Sequence, residues 1–211
     1  MRFSKVLATL LIFLLIFPAV AFGAKYGVMA YDKAKGKTAY GTYGYNYVMK
    51  SPKITSMHVS SLYVRTSTGW SPMAEIGWYA ATWYPSYKKP WFFLAWIKNG
   101  EYNTIDLGPA PPGTKHKYKV ENWKRTGVWK WYIDGDPVGS HFLDFSKGFS
   151  VASSERNILN ETNYSHFWNL RYKSWNGRWY NWKDLREFYD NDPGYKLKKF
   201  SNTRCQMVKG K

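Results

Sequence analysis

Aromatic and β-branched residues fall in short runs separated by turn signals along almost the whole chain. The runs cover residues 39–49, 56–65, 73–82, 91–98, 101–107, 118–123, 128–133, 149–156, 167–175, 178–182 and 196–207. Asn99-Gly100, Asp134-Gly135 and Asn176-Gly177 stand between or after such runs, and Thr126-Gly127 is a fourth candidate turn. Type I′ hairpin turns need positive φ at both central positions, which these dipeptides adopt at little cost. No sustained 3.6-residue apolar period occurs; residues 182–189 are the best candidate for a helical turn. Residues 109–113 (Pro-Ala-Pro-Pro-Gly) and 84–87 (Tyr-Pro-Ser-Tyr) read as loops. About ten short antiparallel strands of this kind predict an all-β sandwich of the jelly-roll or concanavalin-like sort.

The start of the chain breaks the pattern. Arg2 and Lys5 precede an apolar run from Val6 to Phe17, and small residues follow at Ala19, Ala21 and Gly23. Residues 1–23 therefore read as a secretory signal peptide, and residues 24–211 as one β-sandwich domain. The predicted location is secreted or at the cell surface, without membrane attachment after cleavage. Asn160 and Asn163 open two glycosylation sequons, which predicts an exposed loop there.

Composition sharpens this picture. Aromatics make up 20% of the 211 residues, a load that suits pleated sheets better than helical bundles. A single cysteine excludes a disulfide scaffold and a cysteine zinc site. The net charge of +17 falls to +15 once Arg2 and Lys5 are removed. Such a charge suits anionic polymers or a well-solvated surface, and export argues against a nucleic-acid partner. The four histidines are scattered, and no Gly-rich phosphate loop or nucleophile elbow appears, so no metal or cofactor is expected. Asp190-Asn191-Asp192-Pro193 reads as a self-bonded turn in preference to a calcium loop.

Glutamate is scarce. Glu101 and Glu121 read as solvated strand positions. Glu75 alternates with Met73, Gly77 and Tyr79 on one strand face, and Glu155 with Phe149, Val151 and Ser153 on another. Two carboxylates brought together on a sheet raise each other's proton affinity, so one is protonated while the other ionises. Such a pair can activate water and polarise a carbonyl. Spacing alone leaves open whether the two meet.

The order of several motifs resembles the neprosin family. His58-Val59-Ser60 opens a strand, and Ala74-Glu75-Ile76-Gly77-Trp78 stands on the next. An aromatic strand (Trp91-Phe92-Phe93) follows, and Ser153-Ser154-Glu155 takes the place of the family's Gly-Gly-Glu. Phe167-Trp168-Asn169-Leu170 and Leu185-Arg186-Glu187-Phe188 match its C-terminal segments. This resemblance implies a β-sandwich glutamic peptidase that acts in acid. Glu75 and Glu155 would be its catalytic pair, with His58, Gly77, Trp78, Tyr79 and Ser153 around the substrate and no cofactor. The resemblance does not assign base and acid between the two.

A second reading is a carbohydrate-binding, lectin-like module. Residues 128–135 look like the Trp-rich Asp-Gly hairpin of concanavalin-like sandwiches, and Trp123, Trp129, Trp131, Trp175, Trp179 and Trp182 are its candidate sugar-stacking rings. A third is a surface or assembly protein. The partner is accordingly a peptide or a polysaccharide.

Overall fold

A computed structural model describes residues 26–50, 56–67, 70–82, 89–157, 163–190 and 192–209. The predicted signal peptide and Asn160 lie outside the described residues. The described strands are β1 (Tyr26–Asp32), β2 (Gly41–Tyr47), β3 (Met57–Arg65), β4 (Met73–Ala81), β5 (Trp91–Lys98), β6 (Glu101–Pro109), β7 (Lys115–Asn122) and β8 (Val128–Ile133). They continue as β9 (Asp136–Phe142), β10 (Phe149–Arg156), β11 (Ser165–Lys173), β12 (Trp179–Asn181), β13 (Leu185–Asp190), β14 (Tyr195–Ser201) and β15 (Arg204–Lys209). They form two antiparallel sheets. One has seven strands in the order β13-β1-β10-β3-β4-β5-β6; the other has eight in the order β14-β15-β11-β2-β7-β8-β9, with β12 paired to β11. The chain is thus the expected all-β sandwich. Its described residues contain no helix long and apolar enough to cross a membrane.

The turn dipeptides act as their chemistry predicts in two cases. Asn99 and Gly100 both have positive φ (54° and 78°), as do Asp134 and Gly135 (54° and 109°). At Asn176-Gly177 only the glycine does, at 80°, because this loop is wider: Ser174 N–H donates to Arg178 O and Gly177 N–H to Ser174 O.

Residues 182–189 depart from the expected helical turn. Leu185–Asp190 is instead an edge strand on β1, where ladder hydrogen bonds outweigh the weak apolar spacing. The run 196–207 is a hairpin of two strands, β14 and β15. Strand β9 went unread because Pro137 and Gly139 mask it. It is the last strand of its sheet, where a missing N–H is tolerated.

The core lies between the sheets. Trp78, Trp129, Trp131, Trp182, Phe167 and Tyr118 are all 2% exposed or less there. Rings of this size bury roughly 150–250 Å² each, and so dominate the apolar stabilisation. Three of the candidate sugar-stacking rings, Trp129, Trp131 and Trp182, are therefore core residues. Their indole N–H groups are partly accounted for inside: Trp129 donates to Phe145 O and Trp182 to Ser150 Oγ.

The outward faces of the two sheets differ. Every residue of β3 and β4 is buried on both faces, whereas β2, β8 and β11 alternate between buried inner and half-exposed outer positions.

Candidate functional site: a buried glutamate pair on the seven-stranded sheet

Alternation along β3 sends Ser61, Tyr63 and Arg65 to the outer side of the seven-stranded sheet. Register does the rest. Ser61 pairs with Gly77 on one side and with Ser153 on the other, while Tyr63 pairs with Glu75 and Val59 with Glu155. The two glutamates thus sit diagonally across β3, one strand to either side, with the two serines between them.

The side chains form an unbroken path. Ser61 Oγ lies 2.5 Å from Glu75 Oε1 and 2.9 Å from Ser153 Oγ, and Ser153 Oγ lies 3.1 Å from Glu155 Oε1. Tyr102 Oη donates to the other Glu75 oxygen at 3.3 Å. Three hydrogen bonds between Glu75, Ser61, Ser153 and Glu155 require three protons. The hydroxyls supply two, so the third belongs to a carboxyl group. Ser61 donates to Glu75 and Ser153 to Glu155, which uses both hydroxyl protons, so the close approach of Ser61 to Ser153 gains a hydrogen bond only when one of the two glutamates carries a proton.

Electrostatics agree with this count. Burial, and then the charge of Glu155, push Glu75 up to about 8, against the hydrogen bonds from Ser61 and Tyr102 and the nearby Arg65. Burial also raises Glu155, opposed by Arg65 and by the bond from Ser153. Glu75 is almost wholly buried, whereas Glu155 is partly exposed. The proton therefore rests on Glu75, and Glu155 is the carboxylate that water can reach.

The other expected site residues divide. Ser153 joins the pair. Tyr79 shares its face and donates to Asp106 at 2.9 Å. Gly77 does not face a ligand: a Cβ there would meet Ser60 O at 2.2 Å, so β3 itself occupies the space. Trp78 points the opposite way, into the core, and donates to Tyr47 O. His58 is also inward, 5.2 Å from the Trp78 ring. Burial, together with Arg156, lowers its pKa to about 3, so it is a neutral core imidazole and no base for this pair. Strand alternation from Glu75 already excludes Trp78. His58, in contrast, depends on the β3–β4 register. Ser61, Arg65 and Tyr102 were missed: alternation puts Ser61 and Arg65 on one face, but only the register shows that the face is that of the glutamates.

Elsewhere, Asn163 is buried, with its carbonyl accepting the Tyr195 hydroxyl, so this sequon does not lie on the exposed loop expected for it. Asp192 forms a bidentate ion pair with Arg156 and accepts Gly194 N–H, while Asn191 lies outside the described residues. Glu121 is buried and not solvated. Burial raises its pKa, but the Lys173 and Lys119 ammoniums outweigh this and hold it low. Among the described residues no group of three or more metal-ligating side chains could hold an ion.

A second concavity lies at one end of the eight-stranded sheet. It is a cleft of about 550 Å³ lined by Tyr40, Trp123, Lys173, Trp175 and neighbouring polar residues. Trp123 is 39% and Trp175 67% exposed, which is unusual for rings of this size.

No protein-family model matches the chain, and neither does any curated protein sequence. Solved structures with a similar arrangement include the carbohydrate-binding module CBM66 from Bacillus subtilis, at 14% identity, covering 69% of this chain and 80% of that one with a TM-score of 0.47. The β-glucanase of Bacillus licheniformis is 15% identical over 83% of this chain and 68% of its own, with a TM-score of 0.40. Chicken galectin 2 is 11% identical over 65% and 96%, with a TM-score of 0.38. The solved neighbours are thus sugar-binding modules, galectins and glycoside hydrolases, and at this distance the likeness is one of architecture.

Proposed function

We propose that the protein is a hydrolase in which Glu75 and Glu155 act as an acid–base pair on a peptide bond. The observation that carries this reading is the path from Glu75 through Ser61 and Ser153 to Glu155, which is complete only with a single shared proton. Glu155 takes a proton from water as the water oxygen attacks the carbonyl carbon. Glu75 donates its proton to the carbonyl oxygen as charge develops there. When the tetrahedral intermediate collapses, the C–N bond breaks and the amine leaves with the proton held by Glu155. Glu75 recovers its own proton from the hydroxyl as the carbonyl re-forms. Arg65 favours the ionised form of Glu155 and opposes the burial that raises it. The resemblance of residues 56–78 and 153–155 to neprosin supports a peptide as the substrate. Degradation of a proline-containing peptide library tests the reading. Cleavage should be lost in Glu75→Gln and in Glu155→Gln while both variants remain folded; full activity in either would sink it. The reactive state loses its acid as pH rises through about 8, so cleavage should fall away there.

A second reading, a sugar-binding module, is favoured by the cleft between the exposed rings of Trp123 and Trp175. Sugar faces stack on such rings. A glycan array with wild type beside Trp175→Ala tests it: signals that survive the substitution place no sugar in this cleft.

A further inference from the structure

The outer face of the eight-stranded sheet carries a pattern that neither catalysis nor packing uses. Lys115, Lys117 and Lys119 alternate outward along β7, with Lys130 on β8 and Arg171 and Lys173 on β11. The strands of this sheet and β12 hold two carboxylates, Asp136 at the start of the edge strand β9 and Glu121, which Lys119 and Lys173 pair. Across the strands, cations and rings take turns. Arg171 pairs with Tyr43, Tyr43 with Lys119, and Lys119 with Tyr132. Each cation also rests against a ring: Lys119 Nζ is 3.5 Å from the centre of Tyr132, and the Arg171 guanidinium 5.7 Å from Tyr43. The row borders a concavity of about 250 Å³, completed by Lys117, Gly135 and Trp179.

We propose that this face binds a linear acidic polysaccharide bearing about one carboxylate or sulfate per disaccharide. This face is separate from the cleft between Trp123 and Trp175, so the inference goes beyond the sugar-binding reading proposed for that cleft. Strands in a sheet lie about 4.8 Å apart, so Arg171 and Lys119 are separated by roughly 9.5 Å with a tyrosine between them. A chain of alternating charged and neutral sugars laid across the strands presents its anions at about that repeat and the apolar face of the intervening sugar to the ring. Charge complementarity selects an anion. The rings beside this row are not parallel to Tyr43, which meets Tyr45 at 79° and Trp179 at 54°, with centroids 6.1 and 5.8 Å apart, so among the described residues they form no sandwich for a base at Tyr43.

The test is titration of the full chain with hyaluronan, neutral dextran and single-stranded DNA, for wild type and for the Lys117→Gln/Arg171→Gln double variant. The expected result is binding of hyaluronan that weakens with salt and drops at least about tenfold in the double variant, whose melting temperature is unchanged. Dextran bound as well as hyaluronan would overturn the acidic preference while leaving the sugar-binding reading intact. DNA bound more tightly would overturn the polysaccharide assignment. Binding of none of the three polymers would overturn the inference, and a glycan array that also stays blank would remove the sugar-binding reading with it.

Discussion

The two outer faces of the sandwich handle charge in opposite ways. On the seven-stranded sheet, Glu75, Glu155 and Arg65 are close together and largely removed from water, so the proton affinities of the two glutamates rise and a proton becomes shared. On the eight-stranded sheet, more cations are spread over half-exposed positions, and Lys119, Lys130 and Arg171 each lie over an aromatic ring. The same architecture thus yields a chemically tuned site on one side and a long-range electrostatic surface on the other. Burial makes the difference: removing water from a charge changes its chemistry, whereas leaving it in water preserves only its field.

The comparison breaks most visibly if the pair is neutralised. Glu75→Gln and Glu155→Gln should each lower hydrolysis by about 10²–10⁴-fold, the usual worth of a positioned acid or base, read as initial rates on the peptide library. Lys119→Gln should leave those rates unchanged.

Next in size is the backbone beneath the pair. Gly77→Ala drives a methyl group against Ser60 O and Ser61, both in the adjacent strand. It should cost about 3 kcal/mol, at the upper end for overpacked sites, measured by denaturant unfolding.

The third prediction concerns pH and stability. Glu75 titrates at about 8 in the folded chain against an ordinary 4.5. Its folded pKa is raised, so the folded state holds the proton more tightly than the unfolded one. The resulting stabilisation is full below about pH 4.5 and is lost as pH rises toward about 8. The melting temperature of the wild type should therefore fall between those limits by several degrees more than that of Glu75→Gln. An identical pH slope in the two proteins would show that Glu75 carries no displaced proton.

Smaller still is the link itself. Ser153→Ala removes the bridge to Glu155 and leaves Ser61 with one partner fewer. It should cost roughly 1 kcal/mol and shift the pH profile of hydrolysis, since the single-proton arrangement is interrupted. At the far end, Lys115→Gln, at an exposed position, should change stability by no more than about 0.5 kcal/mol.

Much of this was legible in the chain. Residues 91–98, 128–133 and 149–156 are strands to the residue, because β-branched and aromatic runs end there at turn signals or charge. Asn99-Gly100 and Asp134-Gly135 are hairpin turns because their side chains tolerate positive φ. Alternation correctly grouped Glu75 with Tyr79 and Glu155 with Ser153. It failed where an element depends on its neighbours: β13 and β9 are sheet edges whose charged, Pro- and Gly-bearing sequences read as helix or loop until a partner strand supplies the hydrogen bonds.

The local sequence by itself determined the fold class and the turns at Asn99-Gly100 and Asp134-Gly135, for these follow from backbone preference and a two-residue period. Tertiary structure alone decided that Glu75 and Glu155 meet, that Ser61 and Ser153 lie between them, and that His58 does not join them. Those outcomes are set by the register of β4 and β10 on β3, where a slip of one residue would turn every side chain to the other face. Register is fixed by the packing of the whole sandwich, which no local stretch of the chain encodes.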